Sequence, residues 1–235
     1  MLLDWSYMGS KVPLMLQAVP RTLAIVLAAT ALGFVFGLLL ALVRSYKVPV
    51  LSQLAAAYIS VVRGTPLLVI MYLFYYGLPE LCAALNESLH VSFFPEELNK
   101  YAVVIFIFAV YISAYMAETW YSALNAVDYG QMEAALAVGM TMPQALYRIF
   151  LPQAIVSAIP NFGNLFISTI KQTSLVFMIQ IVDIMAVAKI EAGKSYRYLE
   201  MYVIVSLVYW ALTLIFERLF IYWEQHYAKY KRHHA

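Results

Sequence analysis

Residues Thr22 to Val43 contain no charged side chain, and this run of twenty-two residues constrains the fold more than any other feature. As an α-helix it would be about 33 Å long, enough to cross a hydrocarbon core of about 30 Å. The whole chain is 64% hydrophobic and 12% charged, whereas soluble domains are about 45–50% apolar and about 25% charged. A chain of 235 residues cannot hide that much apolar surface in its own core. The sequence therefore predicts an integral membrane protein.

Charge-free runs recur along the chain and predict an all-α integral membrane protein with about five transmembrane helices in one domain, residues 21–220. The predicted spans cover approximately residues 22–43, 64–79, 101–120, 153–175 and 201–218. Residues 1–20 contain Trp5, Lys11 and two prolines, a mixture that favours an interfacial N-terminal segment. Residues 221–235 are basic and aromatic, which predicts a tail at the membrane surface.

The segments between the spans also carry predictions. An amphipathic helix is expected to lead through about Val62 into the second span, with Gly64 and Pro66 breaking the helix between them. The acidic stretch 80–100 is predicted to be an aqueous loop. We expect residues 160–164 to interrupt the fourth span, and the charged residues 189–200 to separate it from the fifth.

Gly33 and Gly37 form a GxxxG pattern within the first span. Glycines at this spacing let another helix approach closely. Packing against a helix of the same subunit is favoured over a contact between two subunits.

A moderately polar stretch, Glu133 to Pro152, interrupts the apolar chain between the third and fourth spans. Glu133 begins a helix-forming run that Gly139 ends. Thr141 with Gln144 three residues later predicts a capping box and a second short helix. The stretch therefore predicts two short helices that meet at a glycine.

The spacing within this stretch resembles the EAA pattern of the permease subunits of ABC importers, through Glu133, Ala134, Ala135, Gly139, Ile149, Leu151 and Pro152. Further segments resemble the polar amino acid branch of that family: residues 63–66, 76–79, 117–118, 130–131, 151–154 and 171–175. The resemblance implies that 128–152 is a cytoplasmic coupling loop with short coupling helices, which docks on separate ATPase subunits. ATP and Mg would be bound there, so that no cofactor is expected on this chain.

The same resemblance implies further partners and a location. A second permease subunit, identical or homologous, and an extracytoplasmic substrate-binding protein are expected, with an amino acid as substrate and lipid around the spans. The protein would lie in the cytoplasmic membrane with its N-terminus outside and its C-terminus in the cytoplasm. Lysines and arginines are spread almost evenly over the two predicted sides, so this orientation rests on the resemblance.

Polar groups inside predicted spans mark transport pathways because burying them in lipid is costly. Arg63, Glu118, Lys171 and Gln172 are the strongest of these, and a pocket with one lysine and one glutamate would match both charges of an amino acid. The resemblance implies a substrate pathway around Arg63, Thr65, Pro66, Glu118, Lys171, Gln172 and Ser174. Gln172 stands where family members often carry an acidic residue. In the alternative, Lys171 reaches the membrane interface and Glu118 pairs locally.

The sequence gives little support for other classes of function. Ala188 to Ser195 is close to a nucleotide-binding Walker sequence but lacks its first glycine. The four histidines are scattered without acidic residues at ligand spacing, and the single cysteine excludes an internal disulfide. The basic residues form no patch for nucleic acid, and no paired groups indicate catalysis. The remaining alternative is an ion-coupled secondary transporter or channel, although such carriers usually contain inverted repeats and no repeat is found here.

Overall fold

A computed structural model describes residues 3–90 and 99–233, and every regular element within those ranges is helical. The elements are α1 (Trp5–Ser45), α2 (Leu51–Gly64), α3 (Leu67–Leu89), α4 (Lys100–Asn125), α5 (Tyr129–Ala137), α6 (Met142–Ala145), a π-helical turn (Leu146–Phe150), α7 (Leu151–Gln172), a 3-10 segment (Thr173–Ile179), α8 (Ile184–Ser195) and α9 (Tyr198–His233).

Five helical stretches in the described residues are long and apolar enough to cross a membrane. Four are α1, α3, α4 and α9, and the fifth is the continuous stretch from Met142 to Ile179. The prediction of an all-α membrane protein with five spans is confirmed.

The centre of the fold is the parallel contact of α1 with α4, and glycines make it possible. A Cβ added to Gly33 would lie 2.6 Å from Ile112 Cγ2, and one added to Gly37 would lie 2.5 Å from Met116 Cβ. Real Cβ atoms do not approach other heavy atoms so closely, so the two backbones meet only because both positions lack a side chain. The prediction that this GxxxG pattern packs within its own subunit is confirmed.

The first helix begins at Trp5, so residues 5–20 continue the first span instead of forming a separate element. Pro13 and Pro20 lie inside this helix without ending it. Met8 and Met15 are buried in a cluster with residues of α8 and α9, and this packing holds the N-terminal half in helical form. The interfacial position of this half stays a prediction.

Ion pairs fasten this N-terminal half of α1 to the junction of α8 and α9, an arrangement we call the N-terminal clasp (Asp4, Lys11, Glu191 and Arg197). Asp4 Oδ2 lies 2.6 Å from Arg197 Nη1, and Lys11 Nζ lies 2.7 Å from Glu191 Oε2. The hydrogen bond from Lys11 holds the pKa of Glu191 below its ordinary value, and Lys194 adds to this effect. The clasp therefore joins the start of the first span to the start of the last.

The break between α2 and α3 lies where the sequence predicts it, since α2 ends at Gly64 and Pro66 caps α3. The following helix, however, passes through Pro79 and ends at Leu89. The prediction of a loop is therefore wrong for residues 80–89, where the apolar side chains between the two glutamates continue the helix. The exposure of this segment to water stays a prediction. Residues 91–98 of that predicted loop lie outside the described residues.

The predicted interruption of the fourth span is absent, because α7 runs unbroken through Pro160 and Gly163. A Cβ at Gly163 would lie 2.7 Å from Phe220 Cγ. The glycine thus admits the aromatic ring of α9 against the α7 backbone, and close helix packing replaces the expected break.

The region between the fourth and fifth spans is more ordered than its charges suggest. Residues 184–195 form α8, whose Ala186, Ala188 and Ala192 are buried, so the predicted charged separator is largely a packed helix. Helix α9 begins at Tyr198 and continues through residue 233. The described part of the predicted tail therefore extends the last span as helix.

Candidate functional site

The first half of the predicted coupling loop is α5, which ends at a glycine in the left-handed region. The Asp128 side chain accepts a hydrogen bond from Gly130 N at 2.9 Å and caps the helix start. At the other end Gly139 has φ +88°, and the amides of Gly139 and Met140 donate to Leu136 O and Ala135 O at 3.0 and 3.1 Å. This is a Schellman motif with glycine at its left-handed position.

The second half begins with the predicted capping box: Thr141 N donates to Gln144 Oε1 at 3.0 Å. The helix that follows differs from the prediction. Residues 142–145 are α-helical, Leu146–Phe150 forms a π-helical turn, and α7 starts at Leu151 without a break. The second short helix is therefore the beginning of the fourth span. Pro152 does not end it, because this proline lies in the first turn of α7, where its missing amide costs no hydrogen bond.

Several large apolar side chains of this loop are exposed near the carboxylate of Glu133. Met132 and Ala135 are buried against the core, which turns Glu133 and Ala134 outward. Val138 and Tyr147 are 77% and 76% exposed. We call the coupling surface the exposed set Glu133, Leu136, Val138, Met142 and Tyr147.

Sequence reasoning found Glu133 on this surface and Gly139 at the turn beside it, but it missed the apolar members. These apolar members could have been predicted, because they are large hydrophobic residues beside the turn at Gly139, where a loop is usually polar. Of the other predicted coupling residues, Ile149 and Leu151 are half-buried and Pro152 is exposed. Exposed apolar patches of this kind occur at surfaces that contact another protein or a membrane.

A second group of polar residues surrounds Glu118 on α4. Its carboxylate is hydrogen-bonded to Arg44, the last basic residue of α1, and Arg63 Nη1 lies 3.7 Å from its second oxygen. These side chains line an open groove of about 450 Å³ between α1, α2 and α4. Glu118 is thus paired locally, by arginines from two other helices.

Aromatic and amide groups extend this cluster along α4. The guanidinium of Arg63 lies 5.4 Å from the ring centre of Tyr115, whose ring stands 4.8 Å from that of Tyr111. Gln172 Nε2 donates to the Tyr111 hydroxyl at 3.4 Å, and Gln172 Oε1 is buried without a partner. These contacts form what we call the polar ladder: Gln172, Tyr111, Tyr115, Arg63, Glu118 and Arg44.

The ladder joins three residues that the sequence predicted separately, Arg63, Glu118 and Gln172. Sequence reasoning missed Arg44, Tyr111 and Tyr115. The tyrosines are spaced i, i+4 and precede Glu118 by seven and three residues, so one helical face holds all three. That spacing was the available signal.

Lys171 lies apart from the ladder. It is exposed and lines another groove of about 450 Å³ with Ser174, Tyr202 and Tyr209. The predicted pocket of one lysine with one glutamate is therefore not formed within the chain. Neighbouring residues of a helix point about 100° apart, so Gln172 reaches α4 while Lys171 faces away.

The two remaining predicted pathway residues, Thr65 and Pro66, lie at the junction of α2 and α3. Thr65 Oγ1 donates to Val61 O at 2.7 Å, and Pro66 is exposed at the cap of α3. They come two and three residues after Arg63, and Gly64, between Arg63 and Thr65, lines the groove around Glu118.

Helix α7 also carries a polar face along its whole length. Asn161 and Asn164 are exposed there, and polar residues recur at spacings of three or four: Gln153, Ser157, Asn161, Asn164, Ser168 and Lys171. This spacing follows the period of a helix. A polar stripe on a membrane span is stable where it meets water or another polar surface.

Asp183 is a buried carboxylate that sequence reasoning also missed. It caps α8 through Ala186 N at 2.8 Å and accepts from the Tyr209 hydroxyl at 3.1 Å. Burial raises its pKa above the ordinary value. Both oxygens are used in holding α8 against α9, which makes Asp183 a structural residue.

The described chain is a bundle with five candidate spans, and it carries a polar stripe and a charged ladder. Polar and charged groups along membrane spans are typical of the class of membrane transport proteins. The family can be stated as well. Residues 33–229 match the family model described as binding-protein-dependent transport system inner membrane component, and the chain belongs to this family of ABC importer permeases for amino acids.

Two relatives from Bacillus subtilis (strain 168) illustrate the membership. The chain is 44% identical over 216 residues to the probable amino-acid permease protein YxeN, with 91% of each chain covered. It is 37% identical over 217 residues to the L-cystine transport system permease protein TcyL, with 92% of this chain and 88% of the relative covered. These relatives are permease subunits and not enzymes.

Solved structures show the same fold. A chain in the crystal structure of an amino acid ABC transporter with histidines superposes with a TM-score of 0.80 at 32% identity, covering 96% of this chain and all of the other. An inward-facing structure of the MetNI methionine ABC transporter gives a TM-score of 0.69 at 17% identity, covering 96% of this chain and 99% of the other. The second likeness concerns the fold alone.

Proposed function

We propose that the coupling surface docks on a separate ATPase subunit and transmits the closure of that subunit to the spans. The observation that carries this is the exposed apolar patch around Glu133, held at a fixed angle by the left-handed Gly139. Because α6 passes without a break into α7, a force on the surface acts directly on a transmembrane helix. ATP and Mg are bound by the ATPase subunit in this scheme.

The translocation pathway runs along the polar ladder and the polar face of α7. Both present charged or amide groups that lipid would not solvate. The pathway residues are Arg63, Thr65, Pro66, Glu118, Lys171, Gln172 and Ser174, joined by Arg44, Tyr111 and Tyr115. Lys171 lies on the polar face of α7 and lines the pathway there. A second permease subunit, identical or homologous, forms the opposite wall of the pathway.

The remaining parts of the assembly follow from this arrangement. An extracytoplasmic binding protein delivers an amino acid to the outer side, and the chain lies in the cytoplasmic membrane with its N-terminus outside. The coupling surface then faces the cytoplasm, where the ATPase subunits are. The first relatives named above are amino-acid and cystine permeases, which supports an amino acid as the substrate.

Reconstitution tests this function against the secondary-transporter alternative. The chain is purified with its candidate ATPase and binding protein and placed in liposomes. Uptake of amino acid that needs all three proteins and ATP supports the proposal. Uptake by the isolated chain, driven by an ion gradient without ATP, contradicts it.

Exchange of Glu133 for lysine is expected to weaken docking. The variant reverses the charge of Glu133, the acidic member of the coupling surface, so a complementary ATPase surface would meet repulsion. We expect uptake to fall about tenfold, equivalent to about 1.4 kcal/mol, with normal amounts of folded protein. The measurement is ATP-driven uptake together with co-purification of the ATPase. Gln131→Lys adds charge at another exposed position of α5, and equal loss in both variants would refute a specific role for Glu133.

Exchange of Lys171 for alanine tests whether Lys171 acts in the translocation pathway or only anchors α7 at the membrane interface. The variant removes the only charge from the α7 polar face, so uptake is expected to fall while the ATPase still co-purifies. Lys189→Ala, which removes a lysine from α8 outside that face, is the matched control. Unchanged uptake kinetics in the Lys171 variant would identify Lys171 as an interfacial anchor.

A further inference from the structure

The two arginines beside Glu118 differ in how fully they are engaged. Arg44 is hydrogen-bonded to the carboxylate, and its guanidinium also lies 4.6 Å from the ring centre of Tyr121. Arg63 stands 3.7 Å from Glu118, beyond the usual hydrogen-bond range of about 2.7–3.2 Å. The side chain of Arg63 is 44% exposed and that of Arg44 is 22% exposed. Arg44 thus neutralises Glu118, and the donors of Arg63 remain available to a ligand.

Along the pathway, positively charged side chains outnumber negatively charged ones. The polar ladder and the α7 face together contain three cationic side chains and one carboxylate, namely Arg44, Arg63, Lys171 and Glu118. The other members, such as Asn161, Asn164 and Gln172, are neutral. After Arg44 and Glu118 compensate each other, the remaining fixed charge on the described pathway is positive.

We propose that Arg63 binds the carboxylate of the transported amino acid and that this excess positive charge excludes amino acids with cationic side chains. This rests on the proposed function and names the substrate class: zwitterions with neutral or anionic side chains. A free guanidinium suits a carboxylate because its planar donors form two parallel hydrogen bonds. The same charge repels the side chain of arginine or lysine, since repulsion between like charges is strong where water is partly excluded.

The groove around Arg63 has space for such a ligand. Its volume of about 450 Å³ is bounded by Ser60, Gly64 and Tyr115 beside the charged residues. Gly64 has no atom within 4 Å of its Cβ position, so the wall next to Arg63 is open. An amino acid can therefore reach the guanidinium without displacing Arg44 from Glu118.

The test measures binding to the permease–ATPase complex in detergent without its binding protein, so that the receptor's selectivity does not enter. Radiolabelled glutamine, glutamate and arginine are the probes. We expect glutamine and glutamate to bind about tenfold or more tightly than arginine. Arg63→Gln should weaken glutamine binding at least tenfold and reduce the discrimination against arginine.

Two further variants keep the inference falsifiable. Asn164→Asp adds a carboxylate to the polar face of α7 and should raise arginine binding about tenfold relative to glutamine. Arg218→Gln removes an exposed cation from α9, away from the ladder, and should leave all three affinities unchanged. Thermal melting of each complex shows whether the variant is folded.

The outcomes separate the inference from the proposed function. Arginine binding as tight as glutamine, an unaffected Arg63→Gln variant, or no binding of any probe by a complex that still takes up amino acid would each overturn the inference. An absence of ATP-driven amino acid uptake in the full reconstituted system would instead contradict the proposed function.

Discussion

Replacement of Gly139 by valine is expected to abolish ATP-driven uptake and the stimulation of the ATPase, while the protein still folds in the membrane. Gly139 adopts φ +88° at the end of α5, a region in which a β-branched residue is strongly disfavoured. Residues other than glycine lose about 1–2 kcal/mol there, and relief of that strain would rotate α5 relative to α6. The coupling surface would then lose its shape.

The same position provides the matched control. No atom lies within 4 Å of a Cβ at Gly139, so space does not limit the side chain and only the backbone conformation does. Asparagine tolerates the left-handed region, and Gly139→Asn should retain most of the uptake. The measurement is uptake and substrate-stimulated ATP hydrolysis in proteoliposomes. Equal activity of the valine and asparagine variants would show that the left-handed conformation is unimportant.

Replacement of Gly37 by leucine is expected to prevent folding of the bundle. A Cβ at this position would lie 2.5 Å from Met116 Cβ and 3.0 Å from the Ala117 amide nitrogen. Backbone of α4 cannot yield as a flexible side chain would, so α1 and α4 would separate. Gly37→Ala should lower the free energy of unfolding by about 1–3 kcal/mol, and the leucine variant by more.

Thermal unfolding in detergent and the yield of monodisperse protein measure this effect. Gly77 is the control, because it lies in α3 with no atom within 4 Å of its Cβ position. Alanine there should leave stability equal or slightly higher, as alanine favours helix over glycine. A Gly37→Ala variant as stable as Gly77→Ala would contradict the close contact of α1 with α4.

The sequence alone predicts the structural elements that depend on residues close together in the chain. Charge-free runs predict five spans because a span in lipid requires a long stretch without charges. Thr141 with Gln144 predicts a helix start because the capping box is completed within four residues. The break at Gly64 and Pro66 is equally local. Each of these features depends on residues that are neighbours in the chain.

Several of the errors come from contacts between distant residues. Residues 5–20 are helical since they pack on α8 and α9, and Gly163 continues α7 because Phe220 fills the space beside it. The partnership of Arg44 with Glu118 joins residues 74 positions apart. No spacing within the sequence indicates which arginine a half-buried glutamate will meet.

The π-helical turn at Leu146–Phe150 continues the coupling segment into α7 without a break. We therefore expect a movement at the coupling surface to tilt α7. The 22 residues of α7 measure about 33 Å, so a tilt of about 10° at the coupling end displaces Gln172 by about 6 Å. That displacement exceeds the length of a hydrogen bond, about 3 Å, and breaks the contact of Gln172 with Tyr111. A small rotation at one membrane surface is thereby amplified into the opening of the ladder near the other.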